Sequence, residues 1–401
     1  MRILHTADWH LEDRLGRIDR TRDLRRGVER VAAYCDDYQV DVLVVAGDLF
    51  CDKSVDKERM KDALAHLRQT FHRFLHRGGT IVAITGNHDS ETACALLREA
   101  MLLAAPPADG VLPSGRFYLA HEPFFGRLAD RDGLPVQFVL LPYPTKARYL
   151  DASASHTSRD EEHAALHGAA VQVLRRYRHE RHDPSLPTVL AAHLHVQGSR
   201  LHSLYKLSER EDILFSKAEL PAEWDYLALG HIHKPQCLLD REHIRYCGSL
   251  ERLNLGERDD AKGCVLVDIG PDGRRGEPQW LPLDARPIYE VTIRRPHEEL
   301  PLLRERYPDA QDALVKLDVV YRAERDNRQA ILDELERVFP RWYERTYREE
   351  STLSSRRGRG ARPLASFEET VTEYVKAALE GDPDLPELLP LLDGFLHEAS
   401  K

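Results

Sequence analysis

The stretch Ile81–Ser90, I-V-A-I-T-G-N-H-D-S, joins an apolar run to a polar loop. The run is short and mostly β-branched, which is typical of a buried strand. Gly86 ends it, and Asn87, His88 and Asp89 follow directly on the loop that leaves the strand. Because these side chains can bind a metal ion or transfer a proton, the stretch predicts a polar site at one end of a sheet.

Other apolar runs in the chain end in the same way. Helical spacing over Lys57–Arg77 separates two of them, and this alternation of strand and helix predicts a layered α/β domain. In each case metal-capable residues follow a predicted strand: Asp8 and His10 after Arg2–Ala7, Asp48 after Asp41–Ala46, His193 after Thr188–Ala192, and His231 and His233 after Tyr226–Leu229. Together with the opening stretch, five strand ends predict one shared site.

The strand-end residues are donors of the kind that hold divalent metal ions. Two ions bridged by a carboxylate need about eight oxygen and imidazole donors. Seven are present: Asp8, His10, Asp48, Asn87, His193, His231 and His233. Asp48 is expected to bridge the ions, because it is the strand-end carboxylate in the middle of the set. Such a pair of ions converts a water into a hydroxide that attacks phosphorus in line.

The remaining residues of the Asn87 loop are expected to serve the chemistry. His88 is better suited to donate a proton, or to stabilise charge as a cation, than to act as an eighth ligand. Asp89 is expected to hold the His88 ring in the required tautomer. We expect His195 to be a surface or packing histidine, on the argument that strand alternation turns it away from His193.

Composition narrows the class of protein. The 401 residues allow one large domain and at least one smaller one, and a net charge of −10 argues against a basic nucleic-acid coat. The six cysteines form no C-x-x-C pair, so neither a disulfide framework nor a thiolate zinc site is indicated. With no membrane-spanning apolar run and no signal-peptide pattern, a cytoplasmic protein is expected.

The C-terminal third changes character. Strand and helix patterns alternate between Ile288 and Val338, which predicts a small α+β module. Ser351–Pro363 lacks apolar periodicity and reads as a linker, and two amphipathic helical patterns follow it. Such a pair is suited to a groove on a partner protein. The predicted domains are therefore residues 1–285, 286–350, 351–365 (a flexible linker) and 366–401.

These motifs resemble those of a known family. D-x-H, G-D, G-N-H-D, a lone His after a strand and G-H-x-H, in this order, resemble the calcineurin-like metallophosphoesterase superfamily. Leu4–His10, Gly47–Phe50 and Tyr246–Glu257 resemble more narrowly the SbcD nuclease family, the bacterial counterparts of the meiotic-recombination double-strand-break nuclease. Cys51 departs from the pattern, since relatives often have His or Asp three residues after the bridging Asp.

The resemblance implies a four-layer α-β-β-α sandwich with two divalent ions, Mn²⁺ above all, with Mg²⁺ or Fe²⁺ as alternatives. It assigns Asp8, His10, Asp48 and His233 to one ion, Asp48, Asn87, His193 and His231 to the other, and the catalytic role to His88. It also implies a capping domain that orients DNA, and a C-terminal helical segment that docks on an SbcC-like SMC-family ATPase. A homodimer within a heterotetramer in the nucleoid follows from the same resemblance.

The implied function is a metal-dependent DNA exonuclease and endonuclease that acts in double-strand-break or hairpin processing. A small-substrate phosphodiesterase or a phosphoprotein phosphatase would use the same fold and ions. A DNA-tethering scaffold without metal is disfavoured by the complete ligand set. The apolar stripe of the predicted helix Glu91–Leu103 is either core or a dimer surface.

Overall fold

The computed structural model describes residues 1–51, 56–104, 111–151, 156–201, 212–220, 224–238, 241–350, 372 and 388–392. Met1–Tyr321 together with Asp326–Arg348 form one compact unit. Arg322–Arg325 and Glu349–Lys401 form a second unit. The predicted linker 351–365 lies outside the described residues, as does the predicted docking segment 366–401 apart from residues 372 and 388–392.

The described residues contain strands that form five sheets. In chain order they are β1 Arg2–Thr6, β2 Arg14–Leu15, β3 Ile18–Asp19, β4 Val42–Ala46, β5 Thr80–Ile84, β6 Phe117–Ala120, β7 Phe124–Ala129, β8 Pro135–Leu141, β9 Thr188–His193, β10 His195–Val196, β11 Leu214–Phe215, β12 Tyr226–Gly230, β13 Gln236–Leu238, β14 Arg241–Tyr246, β15 Lys262–Gly270, β16 Gly273–Leu283, β17 Ile288–Ile293, β18 Leu314–Tyr321 and β19 Trp342–Glu349.

Helices connect the strands and cover the sheets. They are α1 Thr21–Asp37, α2 Lys57–Thr70, α3 His72–His76, α4 Glu91–Ala104, α5 Lys146–Tyr149, α6 Arg159–Glu180, α7 Pro296–Glu299, α8 Leu303–Arg306 and α9 Arg328–Val338. The side chain of Asn327 caps α9 by accepting a hydrogen bond from the Ala330 backbone N–H.

Two six-stranded sheets pack face to face. Their strand orders are β16-β15-β1-β4-β5-β6 and β13-β14-β12-β9-β8-β7. Alternation along β4 places Val42 and Val44 in the core between the sheets, and Leu43 and Val45 in the core under α1, α2 and α3. A third core joins the other sheet to α6. The helix, sheet, sheet and helix layers confirm the predicted four-layer α/β sandwich.

Parallel pairing brings the polar strand ends to one edge. β1, β4 and β5 run parallel in one sheet, with Ala46 opposite Ile84, and β9 and β12 run parallel in the other, with Gly230 opposite His193. The carboxyl ends of all five strands meet where the two sheets face each other. This edge is where a site built from the strand ends must lie.

Residues after Pro287 form a separate small sheet, in the order β17-β18-β19, with α9 packed against it. Its core includes Val315, Leu317, Ile331 and Leu335 and contains no residue of the two large sheets. Arg341 and Arg286 bind the buried Asp23 of α1, with 3.1 Å between Arg286 Nε and Asp23 Oδ1. The small sheet is therefore joined to the sandwich through a carboxylate with several arginine partners.

The buried His5 of β1 makes folding stability depend on pH. Its side chain is inaccessible to solvent, and Nδ1 lies 2.9 Å from the Tyr226 hydroxyl. Burial lowers the pKa of His5 to about 3, so below pH ~6.5 the unfolded chain takes up a proton that the folded chain does not. Stability is therefore lost as the pH falls from about 6.5 towards 3, at ~1.4 kcal/mol per pH unit.

We expect the free energy of unfolding to drop between pH 7 and pH 5 by about 2 kcal/mol more in the wild type than in His5→Gln. Urea unfolding in EDTA at both pH values measures this, because EDTA removes any metal-linked proton release. His72→Gln, at an exposed position of α3, is the control and should follow the wild type. The same pH dependence in His5→Gln and the wild type would contradict the assignment.

Candidate metal centre

The predicted ligands meet at the edge where the two sheets face each other. Asp8 and Asp48 are buried, with side chains 0% and 2% exposed, and His10, His193 and His231 are also buried. Asp8, His10, Asp48 and His231 all have positive φ, between 44° and 95°. Side chains other than glycine adopt this conformation at a cost, and such strain clusters at functional sites.

One group of donors surrounds Asp8. The ligand atoms of Asp8, His10 and His233 all lie within 4.8 Å of one another. His10 Nε2 is 3.2 Å from His233 Nε2 and 3.6 Å from Asp48 Oδ2. These are three of the four residues assigned to the first ion, with the Asp48 carboxylate beside them.

A second group surrounds Asn87. Its Oδ1 lies 3.1 Å from both His193 Nε2 and His231 Nδ1. Asp48 Oδ2 is 3.3 Å from His193 Nε2. One oxygen of Asp48 therefore lies close to both groups, while its other oxygen accepts a 2.9 Å hydrogen bond from the His88 backbone N–H.

These spacings fit divalent metal ions. Two ligand atoms about 2.1 Å from one ion at a right angle are about 3 Å apart, which is close to the separations within each group. The donors are carboxylate, amide and imidazole without a thiolate, a set that suits Mn²⁺, Mg²⁺, Fe²⁺ or Zn²⁺. His193 donates Nδ1–H to the Ala46 carbonyl at 2.8 Å, so its Nε2 lone pair faces the site.

The electrostatics of the cluster also call for a cation. Burial alone would lower the pKa of His193, but the Asp48 and Asp8 carboxylates and the Ala46 carbonyl together outweigh burial and raise it to about 9. In spite of burial, the contact with His193 holds the pKa of Asp48 well below its usual value. A positive charge beside Asp48 is thus favoured, and a metal ion can supply it in place of the proton.

Two glycines allow the loops to approach so closely. Gly86 lies against Asp48, where an added Cβ would be 2.0 Å from Oδ1. Gly47 has a φ of +96°, and a Cβ there would lie 2.0 Å from His193 Nδ1. Any side chain at either position would displace a predicted ligand.

His88 lies at the exposed mouth of the site. Its ring centroid is 5.0 Å from that of His10, and Nδ1 is 3.2 Å from the Cys51 carbonyl oxygen. The ring is exposed, whereas five of the predicted ligands are buried: Asp8, His10, Asp48, His193 and His231. This position beside the ligands, and open to a substrate, suits a group that donates a proton rather than one that holds an ion.

The expected role of Asp89 as the brace for His88 is wrong. The Asp89 carboxylate is buried and accepts hydrogen bonds from the backbone N–H groups of Gly86 (2.8 Å), Phe50 (3.0 Å) and Leu49 (3.3 Å). It ties the Asn87 loop to the loop after β4, and the Cys51 carbonyl takes the place beside the ring. Burial and the neighbouring Asp48 raise the pKa of Asp89 to about 6.

Two carboxylates that were not predicted contact the ligand histidines. Asp212 Oδ2 lies 2.5 Å from His231 Nε2, and Glu257 Oε1 lies 3.0 Å from His233 Nδ1. Glu257 falls within the motif Tyr246–Glu257, so the motif contained a signal for it. Asp212 precedes the two-residue strand β11 in an irregular part of the chain and carried no local signal.

His195 also belongs to this surrounding shell. It is buried, and its Nδ1 lies 3.0 Å from Asp212 Oδ2. The expectation of a position facing away from His193 is wrong, because residues two apart in an extended chain point to the same side.

Several arginines between Arg14 and Arg30 are engaged within the protein. Arg20 is fully buried and pairs with Asp23 and Glu251. Arg25 pairs with the buried Glu12 at 3.0 Å, and Arg17 donates to the Trp342 carbonyl at 3.0 Å. These three arginines hold loops and the small sheet in place, so their role is structural.

Lys262 is expected to be essential for stability. Its side chain is fully buried, and Nζ lies 2.6 Å from Glu257 Oε2, 2.8 Å from Ser249 Oγ and 2.9 Å from the His233 carbonyl oxygen. Lys262→Met leaves the buried Glu257 charge without its cation, and we expect a loss of about 3–5 kcal/mol in the free energy of unfolding.

Urea unfolding in EDTA measures the change. Lys316→Met is the matched control, because Lys316 pairs with Glu344 at 3.1 Å but is 29% exposed, and should cost no more than about 1 kcal/mol. Equal effects of the two substitutions would show that the buried pair is not the stabilising contact.

Fold and donor set together define the class of protein: an α-β-β-α sandwich with a cluster of donors for divalent metal ions at its edge. Residues 1–235 match the calcineurin-like phosphoesterase family, and the chain belongs to this family. Its members use divalent metal ions, and the clustered donors of this chain are suited to hold them.

Sequence similarity to individual proteins is more specific than the family match. The chain is similar to the SbcD component of the SbcCD nuclease of Escherichia coli strain K12, at 30% identity over 281 residues, covering 67% of this chain and 64% of the relative. The corresponding SbcD protein of Bacillus subtilis strain 168 is 29% identical over 281 residues, covering 68% and 67%. The chain thus matches less than two thirds of the length of the E. coli relative.

A solved dimetal phosphatase from Danio rerio overlaps 70% of this chain and 98% of its own, at 11% identity and a TM-score of 0.37, too low to bear on function. Across the described parts of the chain, every helix is too short or too polar to cross a bilayer.

Proposed function

We propose that the protein is a metal-dependent DNA nuclease that hydrolyses phosphodiester bonds as the SbcD component of an SbcCD-type complex. The observation that carries the proposal is the convergence of all seven predicted ligands around a shared Asp48, in a chain similar to the SbcD component of the SbcCD nuclease. Processing of DNA double-strand breaks or hairpins in the nucleoid is the corresponding cellular role.

Asp8, His10, Asp48 and His233 would hold one ion, and Asp48, Asn87, His193 and His231 would hold the other. When bound, such ions supply a nucleophile at neutral pH and stabilise negative charge on the phosphate. We propose Mn²⁺ as the resident ion, with Mg²⁺ or Fe²⁺ as alternatives.

His88 performs the proton transfer. The contact of Nδ1 with the Cys51 carbonyl requires that Nδ1 carry hydrogen, since a carbonyl only accepts. In its imidazolium form the ring would carry the transferable proton on Nε2; the leaving oxygen of the cleaved bond would receive this proton, and the neutral ring would keep its hydrogen on Nδ1. The hydrogen bond from the His88 backbone N–H to Asp48 sets the position of the ring relative to the ligands.

The partners follow from the same proposal. An SbcC-like ATPase binds the C-terminal segment 366–401, and the small sheet after Pro287 acts as a cap that orients DNA. A homodimer face on α4 is supported by Leu96 and Leu103, which are 68% and 88% exposed, whereas Cys94 is the residue of that helix that is buried.

Incubation of the purified protein with linear duplex DNA and Mn²⁺, with and without a co-expressed SbcC-like ATPase, tests the function. We expect DNA degradation that stops when EDTA removes the metal. A phosphodiester of a small alcohol and a phosphoserine peptide serve as competing substrates. Turnover of either one, with no DNA degradation even when the ATPase is present, would favour the small-substrate phosphodiesterase or phosphatase.

Deletion of residues 366–401 is expected to abolish co-purification with the ATPase while Mn²⁺-dependent cleavage of short DNA is retained. The predicted apolar helices of this segment provide the groove-binding face, whereas every predicted metal ligand lies before it. Affinity purification of each form from cells that express the ATPase is the measurement. Deletion of Ala399–Lys401 alone is the control, and co-purification of the longer deletion would show that the ATPase binds elsewhere.

A further inference from the structure

The two histidines of Gly230–His233 turn different ring nitrogens towards the centre. His231 directs Nδ1 to Asn87 Oδ1 at 3.1 Å, whereas His233 directs Nε2 to His10 Nε2 at 3.2 Å. In each ring the other nitrogen contacts a carboxylate: His231 Nε2 contacts Asp212 and His233 Nδ1 contacts Glu257. An ionised carboxylate only accepts hydrogen bonds, so in each ring the nitrogen beside it carries the hydrogen.

We propose that Asp212 and Glu257 are positioning residues that hold His231 and His233 in opposite tautomers, so that His231 binds its metal ion through Nδ1 and His233 binds the other through Nε2. The inference rests on the metal centre of the proposed function and not on the substrate. Its tests measure tautomers and metal binding, so a failure to cleave DNA would leave it standing.

Asp212 is itself held in place. Its Oδ1 accepts hydrogen bonds from the Tyr143 hydroxyl at 3.0 Å and from the Ile213 backbone N–H at 2.9 Å, and its Oδ2 also lies 3.0 Å from His195 Nδ1. The carboxylate therefore has several partners besides His231. A group fixed in this way can fix the ring that it contacts.

A third metal ion among His195, Asp212 and His231 is a weaker explanation of the same cluster. These residues do offer donors within 4.8 Å of one another. However, His231 Nε2 and Asp212 Oδ2 are 2.5 Å apart, whereas two ligands about 2.1 Å from one ion lie about 3 Å apart. The short separation fits a charge-assisted hydrogen bond.

Glu257 is also held in place by neighbouring side chains. Lys262 Nζ lies 2.6 Å from Oε2, and Asn254 Nδ2 donates to Oε1 at 2.9 Å. Ser249 Oγ adds a contact of 3.1 Å with Oε2. Glu257 is fully buried, so its contact with His233 is shielded from water.

The positions of the two nitrogens on the imidazole ring explain how neighbouring histidines can bind different ions through opposite tautomers. The two histidines are separated only by Ile232, which is 1% exposed and packs in the core beneath α6. Nδ1 is next to the ring carbon that joins the side chain, while Nε2 is at the far side of the ring. One tripeptide can therefore serve a nearer ion through Nδ1 and a farther one through Nε2.

The first test measures the metal-free wild-type protein, and two variants serve only to assign its signals. ¹⁵N NMR of histidine-labelled protein in EDTA distinguishes the protonated from the unprotonated ring nitrogen, and spectra of His231→Gln and His233→Gln assign the two signals. At a pH high enough for both rings to be neutral, we expect hydrogen on Nε2 of His231 and on Nδ1 of His233. The same tautomer in both residues would overturn the proposal.

The second test is Mn²⁺ titration by calorimetry, with EPR spectra to report whether the bound ions are coupled. Asp212→Asn should weaken Mn²⁺ binding at one of the two sites about 10- to 100-fold and leave the second site near wild type. Glu257→Gln should weaken Mn²⁺ binding at that second site. The conservative Asp212→Glu should restore part of the lost affinity, because it keeps the acceptor charge. Affinities within two-fold of wild type at both sites in both variants would overturn the proposal.

Two other carboxylates, which lie away from the metal centre, provide matched controls. Asp225→Asn removes a carboxylate that accepts a 2.7 Å hydrogen bond from the Thr188 backbone N–H at the opposite end of β9. Glu219→Gln breaks a histidine–carboxylate contact of 3.0 Å with His167. Both should bind Mn²⁺ like the wild type.

Discussion

His88→Ala is expected to lower the rate of DNA cleavage by about 10²–10⁴-fold while Mn²⁺ and DNA binding are retained. The ring lies at the exposed mouth of the centre, and its Nδ1 contact is with a backbone carbonyl. The substitution therefore removes a proton donor but leaves all the proposed metal ligands in place. The fall should be in kcat, because the proton is transferred only as the bond breaks.

Single-turnover cleavage of a labelled duplex measures the rate, and calorimetry with Mn²⁺ measures ion binding in the same preparation. His72→Ala, an exposed histidine at the start of α3, is the matched control and should behave as wild type. If His88→Ala loses one of its bound ions, then His88 is a ligand and the assignment of a proton donor is wrong.

Asp48→Asn is expected to remove both Mn²⁺ binding and cleavage. Asp48 Oδ2 lies 3.6 Å from His10 Nε2 and 3.3 Å from His193 Nε2, so the same oxygen belongs to both groups of donors. Asparagine has no charge at this position and offers an N–H donor in place of one oxygen. Both sites should weaken together, whereas loss of a ligand to one ion should affect mainly one site.

The measurement is thermal unfolding with and without Mn²⁺. An ion present at about 100 times its dissociation constant stabilises the folded state by ~2.7 kcal/mol, so the wild type should melt at a higher temperature with Mn²⁺. Asp48→Asn should show no such shift. Asp41→Asn, just before the same strand, is the control and should keep the shift, because Asp41 pairs with Arg131 far from the ligands. A full shift in Asp48→Asn would refute the bridging role.

Local pattern was sufficient to predict the layered fold and the residues that cluster at the edge of the sheets. Buried strands such as β4 and β5 are continuous apolar runs, and a glycine followed by polar residues marks where each one ends. Parallel strands then bring those ends to one edge by the rules of sheet pairing, so residues as distant in sequence as Asp8 and His233 could be predicted to meet.

Contacts around the ligands were less predictable. Asp89 follows His88 in sequence, yet its carboxylate binds three backbone N–H groups instead of the ring, because the turn after Gly86 directs it inwards. From the sequence alone, the seven arginines between Arg14 and Arg30 indicate a solvated surface or a phosphate-contacting rim with equal weight. The buried partners of Arg20 show that the local pattern did not reveal its structural role.

The sequence by itself determined the layered α/β architecture and the residue types at each strand end, since both depend on short-range periodicity. Only the tertiary structure decided which ring nitrogen each histidine turns inwards and what holds it there. Asp212 and Glu257 lie 19 and 24 residues from the histidines that they contact, in segments without a periodic apolar pattern. Such contacts depend on distances of a few ångströms between separate segments, and these distances are fixed when the two sheets pack.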